Sequence, residues 1–253
     1  SDLLNQRKRI TELETKYYLY QLVNSLQYLH RHLVIHRDLK LGNLFIDENM
    51  KLKVGDFGLA AKLQNETERR MTVCGTPNYI APELLEGKKG HSFEVDIWST
   101  GVVMYTLLVG KPPYQSKDVK STYKRILANS YSYPENITIS NEARTLISRM
   151  LELKPEARAT LQEILDHPFL NPAQVPSSLP VSAMKENPSF HVKTTLMTMQ
   201  QVEKGLSYQN PGKVMMDYEH PAKQLPKVFN NENDPNAHNR LFQHNIVEEM
   251  MQK

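Results

Sequence analysis

The chain has 253 residues, 40% hydrophobic and 23% charged, which suits one folded domain with a core, followed by a tail. Its 31 Lys and Arg are interspersed with 28 Asp and Glu, and the resulting net charge of +3 excludes the long basic runs that grip nucleic acid. No stretch approaches the roughly 20 apolar residues of a membrane span, no signal-peptide pattern opens the chain, and the single cysteine, Cys74, suits a reducing compartment, so cytoplasm and nucleus are the expected locations.

The chain opens on Ser1 and enters an amphipathic pattern at once, as a piece of a longer polypeptide would. Thr11-Glu-Leu-Glu14 has the spacing of a capping box, and Tyr18, Leu22, Leu26 and Leu29 follow at helical intervals, which predicts a helix with one buried stripe. Two short apolar runs, Leu44 to Ile46 and Leu52 to Val54, flank the turn-like Asp47-Glu-Asn49 and predict a hairpin. From Asp96 to Val109 the sequence is apolar on nearly every side and stops at Gly110-Lys-Pro-Pro113, the pattern of a buried central helix. Further helices are predicted over Val119 to Ala128, over Ala143 to Leu151 with Ser140 or Asn141 as cap, and from the capping box Thr160-Leu-Gln-Glu163 to just before Pro168. After Leu170 the composition turns to Pro, Asn, Gln and Ser, so residues 171–253 are expected to be a largely disordered linker or tail, with a short helix near Leu241 to Met251.

Between the first helix and the hairpin stands His36-Arg-Asp-Leu-Lys-Leu-Gly-Asn43, followed by Asp56-Phe-Gly58 and Ala81-Pro-Glu83. In order and separation these resemble the catalytic loop, metal-binding loop and activation-segment end of the protein kinases. Taken singly, an Asp after Arg is more often a surface ion pair or cap, and an Asn before a strand a turn residue; the ordered set carries the weight. The resemblance implies an α+β, mainly helical fold, the C-terminal lobe of a protein kinase over residues 1–170, working with ATP and Mg²⁺ on protein substrates. Phosphoryl transfer needs an oriented hydroxyl, hard oxygen ligands and neutralised phosphate charge. Asp38 is then the residue that orients the hydroxyl and accepts its proton, Asn43 and Asp56 hold Mg²⁺ between the phosphates, and Lys40 faces the transferring phosphate, as is typical of Ser/Thr kinases. Phe45, two residues past Asn43 and expected on the same face, resembles the floor of the adenine pocket, with an ordinary core aromatic as the alternative. His36 is expected to be structural. Thr72 occupies the position phosphorylated by an upstream activating kinase, with Arg37 as partner of that phosphate; Thr76 resembles the threonine that bonds Asp38 and Lys40. Glu83 and Arg158 resemble a buried ion pair anchoring the activation segment, Asp96 the residue that bonds the backbone of the catalytic loop, and Cys74 is expected to be a small buried packer.

Leu41-Gly42 in place of Pro-Glu, with Cys74 to Glu83, Gly90 to Asp96 and Tyr105 to Pro113, is similar to the polo-like kinases over Ser1 to about Ser178. That implies roles in mitosis and at centrosome, spindle or basal body. Within the chain no glycine-rich phosphate loop, lysine-bearing strand or glutamate-bearing helix precedes these motifs, and no polo-box region follows, so the small lobe that covers ATP is expected to be absent and the chain alone to be inactive. The competing reading is a truncated lobe acting as a non-catalytic binding module. In the tail, Lys185-Glu-Asn187 resembles a degradation signal read by a ubiquitin ligase.

Overall fold

Thr11 starts the longest helix: its hydroxyl accepts the Glu14 amide at 3.3 Å, and the Glu14 carboxylate accepts the Thr11 amide at 2.9 Å. This satisfies orphan donors at both ends of the first turn, the reciprocal bond that the spacing predicted. The computed structural model describes residues 1–189, and within them this helix, α2, runs Glu12–Arg31 after a short α1 over Asp2–Arg7 that the sequence pattern did not resolve into an element. The hairpin forms as predicted, β2 Leu44–Ile46 against β3 Leu52–Val54, with Leu44 opposite Val54 and Ile46 opposite Leu52. Its turn is closed by Asp47, whose Oδ1 accepts the Asn49 and Lys51 amides at 2.9 Å each. A second ladder, β1 Val34–Ile35 against β4 Ala61–Lys62, is too short to leave a periodic signature.

A short α3, Pro82–Glu86, begins inside the Ala81-Pro-Glu83 motif and precedes α4. Helix α4 spans Glu94–Val109, two residues longer at its start than predicted, and every residue from Val95 on is buried. It ends at Gly110, whose φ of 92° and position against the Lys8 carbonyl, 2.5 Å from where a Cβ would stand, admit only glycine. Helix α5, Val119–Leu127, is capped by Asp118, and α6, Asn141–Met150, by Ser140 through the Ala143 amide at 3.1 Å. Helix α7, Leu161–Asp166, carries the second capping box at Thr160.

The core lies around α4, which packs on α2 and α6: α2 contributes Leu19 and Val23 to the buried cluster, α4 Val102 and Tyr105, and α6 Leu146, Ile147 and Met150. Trp98 is fully buried and stacked on Tyr114 at 5.5 Å between ring centres. The fold is therefore mixed and mainly helical, as expected. The segment after Leu170, expected to carry little structure, forms 3-10 turns at Pro172–Gln174 and Val181–Met184, with Leu179 and Ala183 buried against the helices. Apolar residues too few to make a periodic pattern are enough to hold it once a preformed surface is present. Residues 190–253, with the short helix expected near 241–251, lie outside the described residues. Among the described residues no helix is long and apolar enough to cross a membrane.

Candidate active site

The loop between β1 and β2 is built on one buried carboxylate. Asp96, at the first turn of α4 and wholly inaccessible, accepts the His36 amide on Oδ2 and the Arg37 amide on Oδ1, both at 2.9 Å, and meets His30 Nε2 on Oδ2 at 2.9 Å. Burial pushes its pKa up, but the His30 bond and charge and the His36 amide outweigh that and hold it below the usual carboxylate range. With its amide pinned, Arg37 sits at φ 67°, a conformation that non-glycine residues adopt only when surroundings over-determine it. The turn aims the next residues inward.

There Asp38, 7% exposed, is held on both oxygens. Lys40 Nζ donates to Oδ2 at 2.6 Å, Asn43 Nδ2 to the same oxygen at 3.2 Å and to the Asp38 carbonyl at 2.8 Å, and the Thr76 hydroxyl donates to Oδ1 at 2.7 Å. Lys40 also donates to the Thr76 hydroxyl oxygen at 3.0 Å, so Asp38, Lys40 and Thr76 form a closed triangle. Residues 36–43 and residue 76 are brought together only by the fold. An ionised carboxylate accepts on about four lone-pair positions, so Asp38 keeps capacity for one more hydroxyl.

Asn43 spends its amide nitrogen on Asp38, which leaves its oxygen as the group able to face a cation. Asp56 is exposed at φ 57°, with Oδ1 accepting the Gly58 amide at 3.2 Å. It is tied to the loop of residues 36–43 through its neighbour: the Gly55 amide donates to the Asn43 carbonyl at 3.0 Å, and the Gly55 carbonyl lies 3.1 Å from His36 Nε2. Among the described residues no group of three or more His, Cys, Asp and Glu is gathered as a closed metal cage. One carboxylate and one amide oxygen are the hard, sparse donor set that suits Mg²⁺, which keeps waters and substrate phosphates as its other ligands.

His36 is buried, its Nδ1 facing the Asp38 amide at 3.3 Å and its ring 5.1 Å from that of Phe57. Phe45 departs from expectation in one respect: Asn43 lies in a 3-10 turn rather than on the strand and is buried, whereas Phe45 is 54% exposed, so the two do not share a face. Gly55 lies directly beneath the ring, a Cβ there standing 2.9 Å from Phe45 Cε2. Thr72 is exposed and not hydrogen-bonded to Arg37, whose Nε donates instead to the Leu59 carbonyl at 2.6 Å. Away from the loop, Arg158 grips Glu83 with both terminal nitrogens at 2.7 and 2.6 Å, and also reaches the Glu152 and Glu94 carbonyls at 2.8 and 2.9 Å. Cys74 is buried.

Two residues of this region carried no sequence signal that would single them out. His30 closes α2 at a position the helical stripe treats as polar, yet it completes the Asp96 network. His91, 3% exposed, has no hydrogen-bond partner on Nε2; burial, then the Arg37 charge and those of Arg70 and Arg69, push its pKa down to about 4 against the pull of Asp96.

The family profile described as protein kinase domain matches residues 1–170. The chain is 57% identical over 189 residues to "Probable serine/threonine-protein kinase CCRP1" of Zea mays, 49% over 211 residues to serine/threonine-protein kinase PLK1 of Xenopus laevis, and 52% over 190 residues to the cell cycle serine/threonine-protein kinase CDC5/MSD2 of Saccharomyces cerevisiae. The alignments cover 74%, 83% and 75% of this chain but 30%, 35% and 27% of those proteins, so the chain spans about a third of the length of the relatives it matches.

Proposed function

The chain belongs to the protein kinase domain family, among the polo-like serine/threonine kinases, and from that premise we propose that it transfers the γ-phosphate of ATP to Ser and Thr hydroxyls of proteins. One observation carries the proposal: the Asp38 carboxylate held between Lys40 and the Thr76 hydroxyl. The 2.7 Å contact from Thr76 is the contact a substrate hydroxyl would make, so Asp38 can orient an aliphatic alcohol and take its proton. Lys40 then stands beside the attacking oxygen, where the transferring phosphate gains charge. Phe45 offers an exposed ring for adenine to lie on. Lys40, Asn43 and Asp56 face the phosphates, and Asn43 and Asp56 hold Mg²⁺, which when bound neutralises the phosphate charge. A non-catalytic binding module would have no use for this network.

The chain acts as one lobe of a two-lobed cleft. Nothing in its 253 residues supplies a glycine-rich loop or a phosphate-positioning lysine, and the roof over ATP comes from elsewhere. Regulation falls on Thr72: a phosphate added there by an upstream kinase pairs with Arg37, once that side chain leaves the Leu59 carbonyl, and orders the segment. The similarity to polo-like relatives supports work in the cell cycle, with cytoplasm, nucleus, centrosome, spindle or basal body as its places.

The test fuses the chain behind the small lobe of a polo-like relative and measures phosphate transfer from Mg²⁺-ATP to casein. Transfer to Ser and Thr that falls at least about 100-fold in Asp38→Asn supports the reading, in line with the loss of a positioned base. Unchanged transfer in that variant would overturn it.

A further inference from the structure

Arg7, the last residue of α1, joins parts of the chain far apart in sequence. It is 2% exposed and paired with Glu14, itself fully buried, which Thr11 already holds through its amide and hydroxyl. The rest of its guanidinium points away from that pair, toward the segment that follows the last helix: Nη1 donates to the Ala183 carbonyl at 2.7 Å and Nη2 to Asn187 Oδ1. These contacts join residues 176 and 180 positions apart.

A second anchor lies upstream, where Lys16 Nζ donates to Gln174 Oε1 at 2.6 Å. Between the anchors Leu179 is 5% exposed and Ala183 1%. The motif Lys185-Glu-Asn187 therefore lies against the α1–α2 corner. Its backbone is wound, with the Lys185 and Glu186 amides donating to the Ser182 carbonyl at 2.9 and 3.1 Å, and Pro188 behind it is buried. Lys185, Glu186 and Asn187 are all exposed, and the Asn187 amide oxygen is engaged by Arg7.

We propose that residues 171–188 form a releasable strap, clamped on the α1–α2 corner by Arg7, which withholds Asn187 from any protein partner that reads the three side chains of Lys185-Glu-Asn187. The clamp is built to open on one side only. Arg7 remains neutralised by Glu14 when the strap leaves, so release at that end forfeits hydrogen bonds to a carbonyl and an amide but strands no charge on Arg7 or Glu14. A fully buried charge pair at the base and exposed residues at the tip put the weakest bonds at the motif itself.

Two substitutions separate release from recognition. Asn187→Ala removes the strap's half of the clamp and leaves the Arg7–Glu14 pair intact, whereas Arg7→Ala frees the strap with the motif whole. In the 253-residue chain, trypsin should cut after Lys185 at least fivefold faster in Asn187→Ala than in wild type; equal rates would overturn the clamp. In dividing cells, Arg7→Ala should disappear at least twofold faster than the double variant Arg7→Ala/Asn187→Ala, which shares any folding defect but lacks the asparagine. Equal half-lives of those two would overturn the withholding.

Discussion

Asp96 shows how much one carboxylate decides. It sits at zero exposure with the His36 and Arg37 amides and the His30 ring converging on it, and the position of Asp38 follows from those bonds. Removing it leaves the buried His36 amide and the partly buried Arg37 amide without their acceptor, at about 1–3 kcal/mol for a buried donor. Asp96→Ala should therefore lower the urea midpoint of unfolding sharply and abolish transfer by the fused enzyme, while Asp38→Asn, which strands no buried amide, should abolish transfer with a midpoint close to wild type. His91 predicts a pH effect. Its folded pKa of about 4 lies below the ordinary 6.5, so between those values the unfolded chain binds a proton that the folded chain does not. The resulting stability is fully present above about pH 6.5 and is lost as pH falls toward 4, by up to about 3 kcal/mol at 1.36 kcal/mol per pKa unit. His91→Gln should flatten the decline in thermal midpoint between pH 7 and pH 5; an unchanged slope would show that other groups set it.

Among the elements, α4 is the one whose packing tolerates least. Gly101 lies against α6, where an added Cβ would stand 2.9 Å from Met150 Cβ and 2.9 Å from Leu151 Cδ2. The Met150 atom is fixed close to its backbone, so relief requires α4 and α6 to part. Gly101→Ala is expected to destabilise by about 1–3 kcal/mol in spite of alanine's better helix propensity, read as a shift in the urea midpoint. Helix α2 gives the milder contrast: Thr11→Ala removes one side of the capping box and should cost about 1 kcal/mol. The Glu83–Arg158 pair links elements rather than stabilising one of them. Both side chains are nearly inaccessible, at 9% and 1%, and Arg158→Ala would leave the Glu83 charge buried and unpaired, a loss of about 3–5 kcal/mol.

For the whole molecule, the described residues hold Asp38, Lys40 and Asn43 in one hydrogen-bonded loop and leave Phe45 and Asp56 exposed. A reacting phosphate there would be open to water, and much of the electrostatic advantage of a preorganised site is lost in a high-dielectric setting. The 253-residue chain purified by itself should thus show little transfer to casein, with activity appearing only on fusion to the covering lobe. Robust Mg²⁺-ATP-dependent transfer by the chain alone would refute the two-lobed reading.

What the sequence determined by itself was the family resemblance and the local elements. The capping boxes at Thr11 and Thr160, the hairpin at 44–54 and the buried run ending at Gly110 depend on neighbours within a few positions, and the loop motif carries, by its resemblance to the protein kinases, the roles expected of Asp38, Lys40 and Asn43. The tertiary structure decided what those residues meet. Thr76 reaches Asp38 across 38 positions, His30 finds Asp96 across 66, and Arg7 captures the segment after the last helix across 176, none of which leaves a periodic trace in the chain. The outward turn of Phe45 and the folded state of residues 171–189 belong to the same class. Local order follows from backbone hydrogen bonds and side-chain spacing that close within a turn, whereas a site follows from loop closures that only a shared core can hold together.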